Sequence, residues 1–105
     1  MMKEYIHENN LCLLLDEDGD SFESFQKSVD FIESKINPEV KEFKFGYWDE
    51  SSGHFIKDKI TVCLEYSNWT GTVIRVSEDY SELELQKVRQ WALEIYNLIH
   101  DNKSN

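Results

Sequence analysis

The sequence predicts an α+β fold, a two-layer sandwich in which two helices lie on one face of a mainly antiparallel sheet. Three observations support this prediction. Two segments repeat apolar residues at spacings of three and four, as amphipathic helices do. The segments between them alternate apolar and polar residues, as half-buried strands do. Turn-forming residues separate these strands closely enough for antiparallel pairing. The predicted order is β-α-β-β-β-α, in a single domain over residues 1–105.

A buried strand and three alternating strands account for the predicted sheet. Residues 11–15 (Leu-Cys-Leu-Leu-Leu) form a short apolar run, which is typical of a strand buried on both faces. The alternative to this order has an extra helix or strand at the preceding residues 2–8. The later strands are predicted at 42–48, 57–66 and 72–76, with turns at 49–53 and 67–71 between them. These three strands are expected to form an antiparallel meander.

The two helices are predicted at residues 21–36 and 81–100. Each begins with capping-box spacing, in which two residues three positions apart bond each other's backbone. The two pairs are Asp20 with Glu23, and Ser81 with Glu84. Proline at position 38 ends the first helix, because it disfavours helical backbone at the residue before it. Trp91 lies centrally on the apolar stripe of the second helix and is predicted to be buried. Residues 101–105 are expected to be a frayed tail.

The charge of the chain restricts its partners. Twenty-one acidic residues outnumber eleven basic ones, and the formal net charge is −10. Such a surface repels nucleic acid and anionic lipid and attracts basic protein surfaces, although the same charge also simply favours solubility. Cys12 and Cys63 have no metal-binding spacing and are expected to be buried free thiols. We therefore expect a cytoplasmic protein without a cofactor, direct nucleic-acid binding or membrane contact.

The acidic segment after the first strand is the most motif-like part of the chain. Residues 13–19, with Asp16 and Asp18, resemble the first motif of haloacid-dehalogenase-type phosphatases. That resemblance implies a nucleophilic Asp16, an acid/base Asp18 and a Mg²⁺ ion. The family also needs further residues on later parallel strands, whereas the later strands here are predicted to be antiparallel. The segment also resembles a calcium loop, but Ser21 and Lys27 occupy two positions where glycine and glutamate are required. We predict that neither aspartate is catalytic and that this acidic turn favours the following helix N-terminus.

A second group of residues combines aromatic and acidic side chains outside the predicted core stripes. Tryptophan is enriched among binding hot spots, and carboxylates accelerate encounter with a basic partner. The alternative interpretation is that the tryptophans pack on the core and the carboxylates are only solvated. The predicted partner-binding residues are Trp48, Asp49, Glu50, Glu65, Trp69 and Asp79.

In length, charge, aromatic-rich antiparallel strands and lack of a complete catalytic motif, the chain resembles immunity proteins of bacterial toxin systems, including contact-dependent growth inhibition. The resemblance implies a non-enzymatic antitoxin that binds and neutralises a cognate toxin domain, often a basic nuclease. Three alternatives stay open: another inhibitor or adaptor of a basic protein, including an anionic mimic of nucleic acid; a small metal-dependent phosphoryl enzyme using Asp16 and Asp18; and a structural subunit of a larger assembly.

Overall fold

Six strands form one antiparallel sheet in a computed structural model that describes residues 1–19, 21–46 and 50–101. The strands are β1 (Lys3–His7), β2 (Asn10–Asp16), β3 (Val40–Lys44), β4 (Glu50–Lys57), β5 (Ile60–Ser67) and β6 (Gly71–Ser77). Their order across the sheet is β1-β2-β6-β5-β4-β3, which leaves β1 and β3 at the two edges. The helices are α1 (Phe22–Phe31), continued by a π-helical segment (Ile32–Ile36), and α2 (Glu82–Asp101).

Both helices pack on the same face of the sheet. Successive side chains of a strand point to opposite faces, so every second residue of the central strands faces the helices. Those residues form a single apolar core with the helices. From the strands the core takes Leu11, Leu13, Leu15, Phe55, Ile60, Val62, Leu64, Tyr66, Ile74 and Val76; from the helices it takes Phe25, Val29, Ile32, Ile36, Leu85, Val88, Ala92, Ile95 and Ile99. The predicted α+β two-layer sandwich is confirmed.

The helix ends agree with their predicted positions. At α2 the backbone N–H of Ser81 donates to Glu84 Oε1 at 3.0 Å, and the N–H of Glu84 donates to Ser81 Oγ at 3.2 Å, which confirms the capping box. The N-cap of α1 is Ser21, without a side-chain cap bond, and Asp20 lies outside the described residues. The first helical run ends where Asn37 adopts left-handed backbone (φ 53°) directly before the proline.

The predicted element order lacks two strands, β1 and β4. Residues 3–7 form an edge strand, which is one of the alternatives left open for the N-terminus. A tight turn follows each of these two strands, and both of its central residues have positive φ. The angles are 51° and 65° at residues 8 and 9 after β1, and 53° and 67° at residues 58 and 59 after β4. Such turns favour Asn-Gly or Asp-Gly, but here the residues are Glu-Asn and Asp-Lys. The sequence signal that marks these hairpins is therefore missing.

The turn predicted at 49–53 is wrong over residues 50–53, which begin β4. Gly53 lies inside that strand, opposite Phe43 of β3. A Cβ atom at position 53 would lie 2.7 Å from the Cα atom of Phe43 and against its ring. The glycine therefore marks a close approach of two strands and not a turn.

Two further predictions need correction: the burial of Trp91 and the frayed tail at residues 101–105. Trp91 is half-buried and packs against the core from outside it, with its ring 5.9 Å from that of Phe55. Asp101 belongs to α2 and not to a frayed tail, and residues 102–105 lie outside the described part of the chain. Both cysteines are free thiols as predicted; Cys12 is buried and Cys63 is half-buried.

Candidate functional site

One end of the sheet brings the loop between β2 and α1 against the turn between β5 and β6. Tyr66 Oη donates a hydrogen bond of 2.6 Å to the carbonyl oxygen of Gly19. A Cβ atom on Gly19 would lie 2.7 Å from the carbonyl carbon of Asn68, so the two segments approach more closely than a larger residue permits. Gly71, the first residue of β6 directly after this turn, has a φ of 82°. The contact joins the acidic loop to a turn about fifty positions later in the sequence.

Trp69 projects from that turn into solvent. Its exposed fraction is 90%, which is exceptional for so large an apolar side chain. The turn itself is held by its neighbours, since the N–H of Thr70 donates to Ser67 Oγ at 3.1 Å and the two hydroxyls are 2.7 Å apart. The tryptophan is therefore presented by an ordered turn and does not pack on the core.

Exposed carboxylates lie at the same end of the sheet as this tryptophan. Glu50 begins β4, where it pairs with Ser67 of the strand that leads into the turn. Glu17 and Asp18 are exposed on the loop that contacts Asn68, and Glu17 pairs with Lys3 of β1, so that Asp18 and Glu50 supply most of the negative charge at this end. We call the four residues Glu17, Asp18, Glu50 and Trp69 the Trp69 surface. Negative charge beside an exposed indole ring suits a lysine or arginine side chain, which both groups attract.

The predicted partner-binding residues do not all lie at this end. Glu50 and Trp69 do, and Trp48 and Asp49 lie outside the described residues. Asp79 is at the opposite end, beside the turn between β1 and β2, where the N–H of Glu78 donates to the carbonyl of Asn9 at 3.0 Å. The seven residues of β6 separate the two ends by roughly 20 Å, at about 3.3 Å per residue.

Glu65 occupies a third place, on the sheet face that points away from the helices. One of its carboxylate oxygens lies 2.6 Å from a guanidinium nitrogen of Arg75 on the neighbouring strand. Both side chains are about one-third exposed. Because Arg75 already matches the charge of Glu65, this carboxylate adds little to the attraction for a basic partner.

The thiols on the same face are poor nucleophiles. Cys12 and Cys63 lie on either side of Arg75 in register, and His54 is the next residue along the row. Burial raises the pKa of the Cys12 thiol, with the nearby Arg75 opposing it, and burial is also the main cause of the raised pKa of Cys63. A raised pKa lowers the thiolate fraction at neutral pH, and the thiolate is the reactive form.

Asp16, the first aspartate of the phosphatase-like segment, is buried with an exposed fraction of 3%. Its Oδ1 accepts a 3.0 Å hydrogen bond from the N–H of Asp18, and its Oδ2 accepts a hydrogen bond from Ser24 Oγ. Ser24 in turn lies 3.1 Å from Ser21 Oγ. This arrangement ties the end of β2 to the first turn of α1.

An open depression of about 580 Å³ lies beside Asp16, between the acidic loop and the end of α2. Its wall includes His100, whose ring nitrogen lies 2.8 Å from the carbonyl oxygen of Leu15, and Tyr96, whose ring centroid lies 4.1 Å from that of His100. Over residues 1–19, 21–46 and 50–101, no three His, Cys, Asp or Glu side chains are arranged to hold a metal ion. The strand pairs are all antiparallel, unlike the parallel core that the phosphatase resemblance implies.

Sequence reasoning did not include Glu17 and Asp18 among the partner-binding residues. What adds them is the contact between Gly19 and Asn68, and residues so far apart in the chain leave no local pattern that reports it. The acidic run and the turn were each visible in the sequence, but not their proximity.

Comparison of the chain with models of protein families, with curated proteins and with solved structures found no match. In the described part of the chain neither helix has the length and apolar character needed to cross a membrane.

Proposed function

We propose that this chain is a non-enzymatic binding protein that neutralises a basic protein partner, and that the partner is the toxin domain of a bacterial toxin–immunity pair, such as those of contact-dependent growth inhibition. The observation that carries the proposal is Trp69, 90% exposed on an ordered turn at the end of the sheet that also carries Asp18 and Glu50. A cytoplasmic location, where an immunity protein meets its toxin, is part of the proposal.

The distribution of ion pairs supports a basic partner. Seven of the basic side chains in the described residues already lie within 4 Å of a carboxylate: Lys3, Lys27, Lys41, Lys44, Arg75, Lys87 and Arg89. The excess of negative charge therefore remains on acidic residues outside these pairs, such as Glu50. Uncompensated carboxylates at the rim of an interface accelerate association with a positively charged surface.

The indole ring contributes a different part of the binding energy. Covering an exposed tryptophan removes on the order of 150–250 Å² from water, and an arginine or lysine placed over its face adds about 0.5–2 kcal/mol. We expect Trp69 to act mainly on the dissociation rate and the carboxylates mainly on the association rate. If the partner is a nuclease, the bound chain would cover the basic surface with which the nuclease binds the phosphates of its substrate.

The proposal is tested by capturing the partner on the immobilised chain and measuring the binding of the purified pair by calorimetry at about 50 mM and 500 mM salt. We expect a basic partner, weaker binding at high salt, and growth arrest by the partner unless this chain is co-expressed. Trp69→Ala should weaken binding by about 2 kcal/mol or more, which is roughly thirtyfold.

A matched pair of charge reversals locates the interface. Glu50→Lys and Asp79→Lys change the net charge equally but lie at opposite ends of the sheet. We expect Glu50→Lys to slow association much more than Asp79→Lys. An acidic partner, equal effects of the two reversals, or turnover of a phosphate ester that depends on Mg²⁺, Asp16 and Asp18 would each contradict the proposal. The last result would support the phosphoryl-enzyme alternative.

A further inference from the structure

A groove of about 650 Å³ runs between α1 and the edge strand β3. Val29, Phe43 and Phe45 form its apolar lining, and Asp30 and Glu33 of the helical run stand on one rim. Phe45 is 55% exposed although its ring lies 5.5 Å from that of Phe25 in the core. The groove therefore presents apolar surface to solvent directly beside an edge of the sheet.

The edge beside this groove is free for pairing. β3 pairs with β4 on one side, and within residues 1–19, 21–46 and 50–101 no strand pairs with its other side. Each edge strand has one ion pair to a helical segment, Glu4 of β1 with Arg89 and Lys41 of β3 with Glu33. The feature that selects β3 is the groove that lies beside it. An unpaired edge offers a row of backbone donors and acceptors to an extended segment.

We propose that β3 and the groove together bind an extended, basic segment of the partner, which adds to the sheet as a seventh strand. The inference rests on the proposed function in taking the partner to be basic, and it adds the mode of binding. Main-chain hydrogen bonds to β3 supply affinity, and alternate side chains of the segment enter the groove. There, apolar side chains cover Phe43 and Phe45, and lysine or arginine side chains reach the carboxylate rim.

Charge selects this occupant over a second copy of the chain. Lys41 pairs with Glu33 at 2.6 Å and matches one carboxylate of the rim, while no ion pair within the described residues matches Asp30. A second copy would bring another net charge of −10 to an acidic rim, which is unfavourable. Lys44 at the end of β3 pairs with Ser52 of β4, so one end of the groove lies at the end of the sheet that carries Glu50. A basic segment can therefore leave the groove toward the Trp69 surface.

The test uses the full chain, labelled with ¹⁵N, and a synthetic nine-residue peptide with lysine and valine in turn at its odd positions and threonine at its even positions, so that lysines and valines share one face of the added strand. We expect binding to protect amides of β3 from hydrogen exchange, because a new strand occupies their free edge. Peptides N-methylated at every odd position or at every even position keep the charge and side chains but lose one set of backbone donors. At least one of the two should bind at least tenfold more weakly than the unmodified peptide.

A matched pair of helix variants tests the rim. Asp30→Lys and Glu94→Lys both reverse an exposed helical carboxylate, but Glu94 lies on α2, away from the groove. We expect Asp30→Lys to weaken peptide binding about tenfold and Glu94→Lys to change it less than threefold. Light scattering should show that the free chain is monomeric.

The remaining outcomes separate this inference from the proposed function. Peptide binding that perturbs only the Trp69 surface, or that both N-methylated peptides reproduce, would overturn strand addition and leave a basic partner in place. A dimer held through β3 would show that a second copy is the occupant and would overturn the inference. Absence of any peptide binding would overturn it as well, whereas the proposed function is tested separately, by the captured partner and by the two charge reversals.

Discussion

The buried carboxylate of Asp16 gives the sharpest test of whether the phosphatase-like segment is structural. Asp16→Ala removes an acceptor for the N–H of Asp18 and for Ser24 Oγ. Hydrogen bonds to a charged group contribute about 1.5–3 kcal/mol each. Alanine relieves the cost of burying the carboxylate, and Ser24 keeps Ser21 as a neighbour at 3.1 Å, so we expect a net loss near the lower end, about 3 kcal/mol.

This loss is large for a domain of this size. Small domains have free energies of unfolding of about 5–15 kcal/mol, and a loss of about 3 kcal/mol lowers the melting temperature by roughly 12 °C or more. The neighbouring variant Glu17→Ala is the control. Glu17 is 61% exposed in its side chain and forms a surface ion pair with Lys3, so its removal should cost less than about 1 kcal/mol.

The assay is urea unfolding of the two variants, followed by circular dichroism with linear extrapolation to water. A loss below about 1 kcal/mol for Asp16→Ala would refute the structural role derived from its hydrogen bonds. A gain in stability would be more informative still. Residues kept for catalysis or ligand binding often reduce stability, so stabilisation would indicate a functional carboxylate.

Three further substitutions test how the fold is held. Gly53→Ala should destabilise by about 1–3 kcal/mol, because its Cβ would press on Phe43, and deuterium exchange should show β3 loosened; unchanged denaturation would mean that the strands are not closely apposed there. Lys59→Gly should stabilise by about 0.5–1 kcal/mol in thermal melts, since glycine relieves a φ of 67°; destabilisation would contradict the turn geometry. Trp91→Ala should cost about 1.5–3 kcal/mol in denaturant melts, less than for a fully buried ring because only part of Trp91 covers Phe55; a cost above about 4 kcal/mol would argue for complete burial.

Local patterns predicted both helices and most of the sheet. The apolar stripes at spacings of three and four placed the helical runs within one or two residues of their observed ends, and Ser81 with Glu84 marked the start of α2 directly. The alternation of apolar and polar residues predicted β5 and β6, and it predicted which of their residues face the helices. These features depend on residues close together in the chain, so the sequence carries them.

The two missed strands had no such local signal. Their tight turns use Glu-Asn and Asp-Lys where glycine is usual, and the Ser-Ser-Gly segment of β4 has the composition of a turn. What makes Gly53 a strand residue is the ring of Phe43 lying across it. That contact exists only after β3 and β4 have paired.

The candidate site divides in the same way. The sequence alone supplied the fold class, the charge of −10 and the proposed binding residues Trp69 and Glu50, and it placed Asp16 and Asp18 in a turn, although Asp16 is the last residue of β2. Only the tertiary structure separated Asp79 from these residues, matched Glu65 with Arg75, and brought the acidic loop beside Asn68. Composition and periodicity determine which face of an element is apolar. Which polar residues become neighbours depends on strand order and on the packing of distant segments, and no local pattern encodes either.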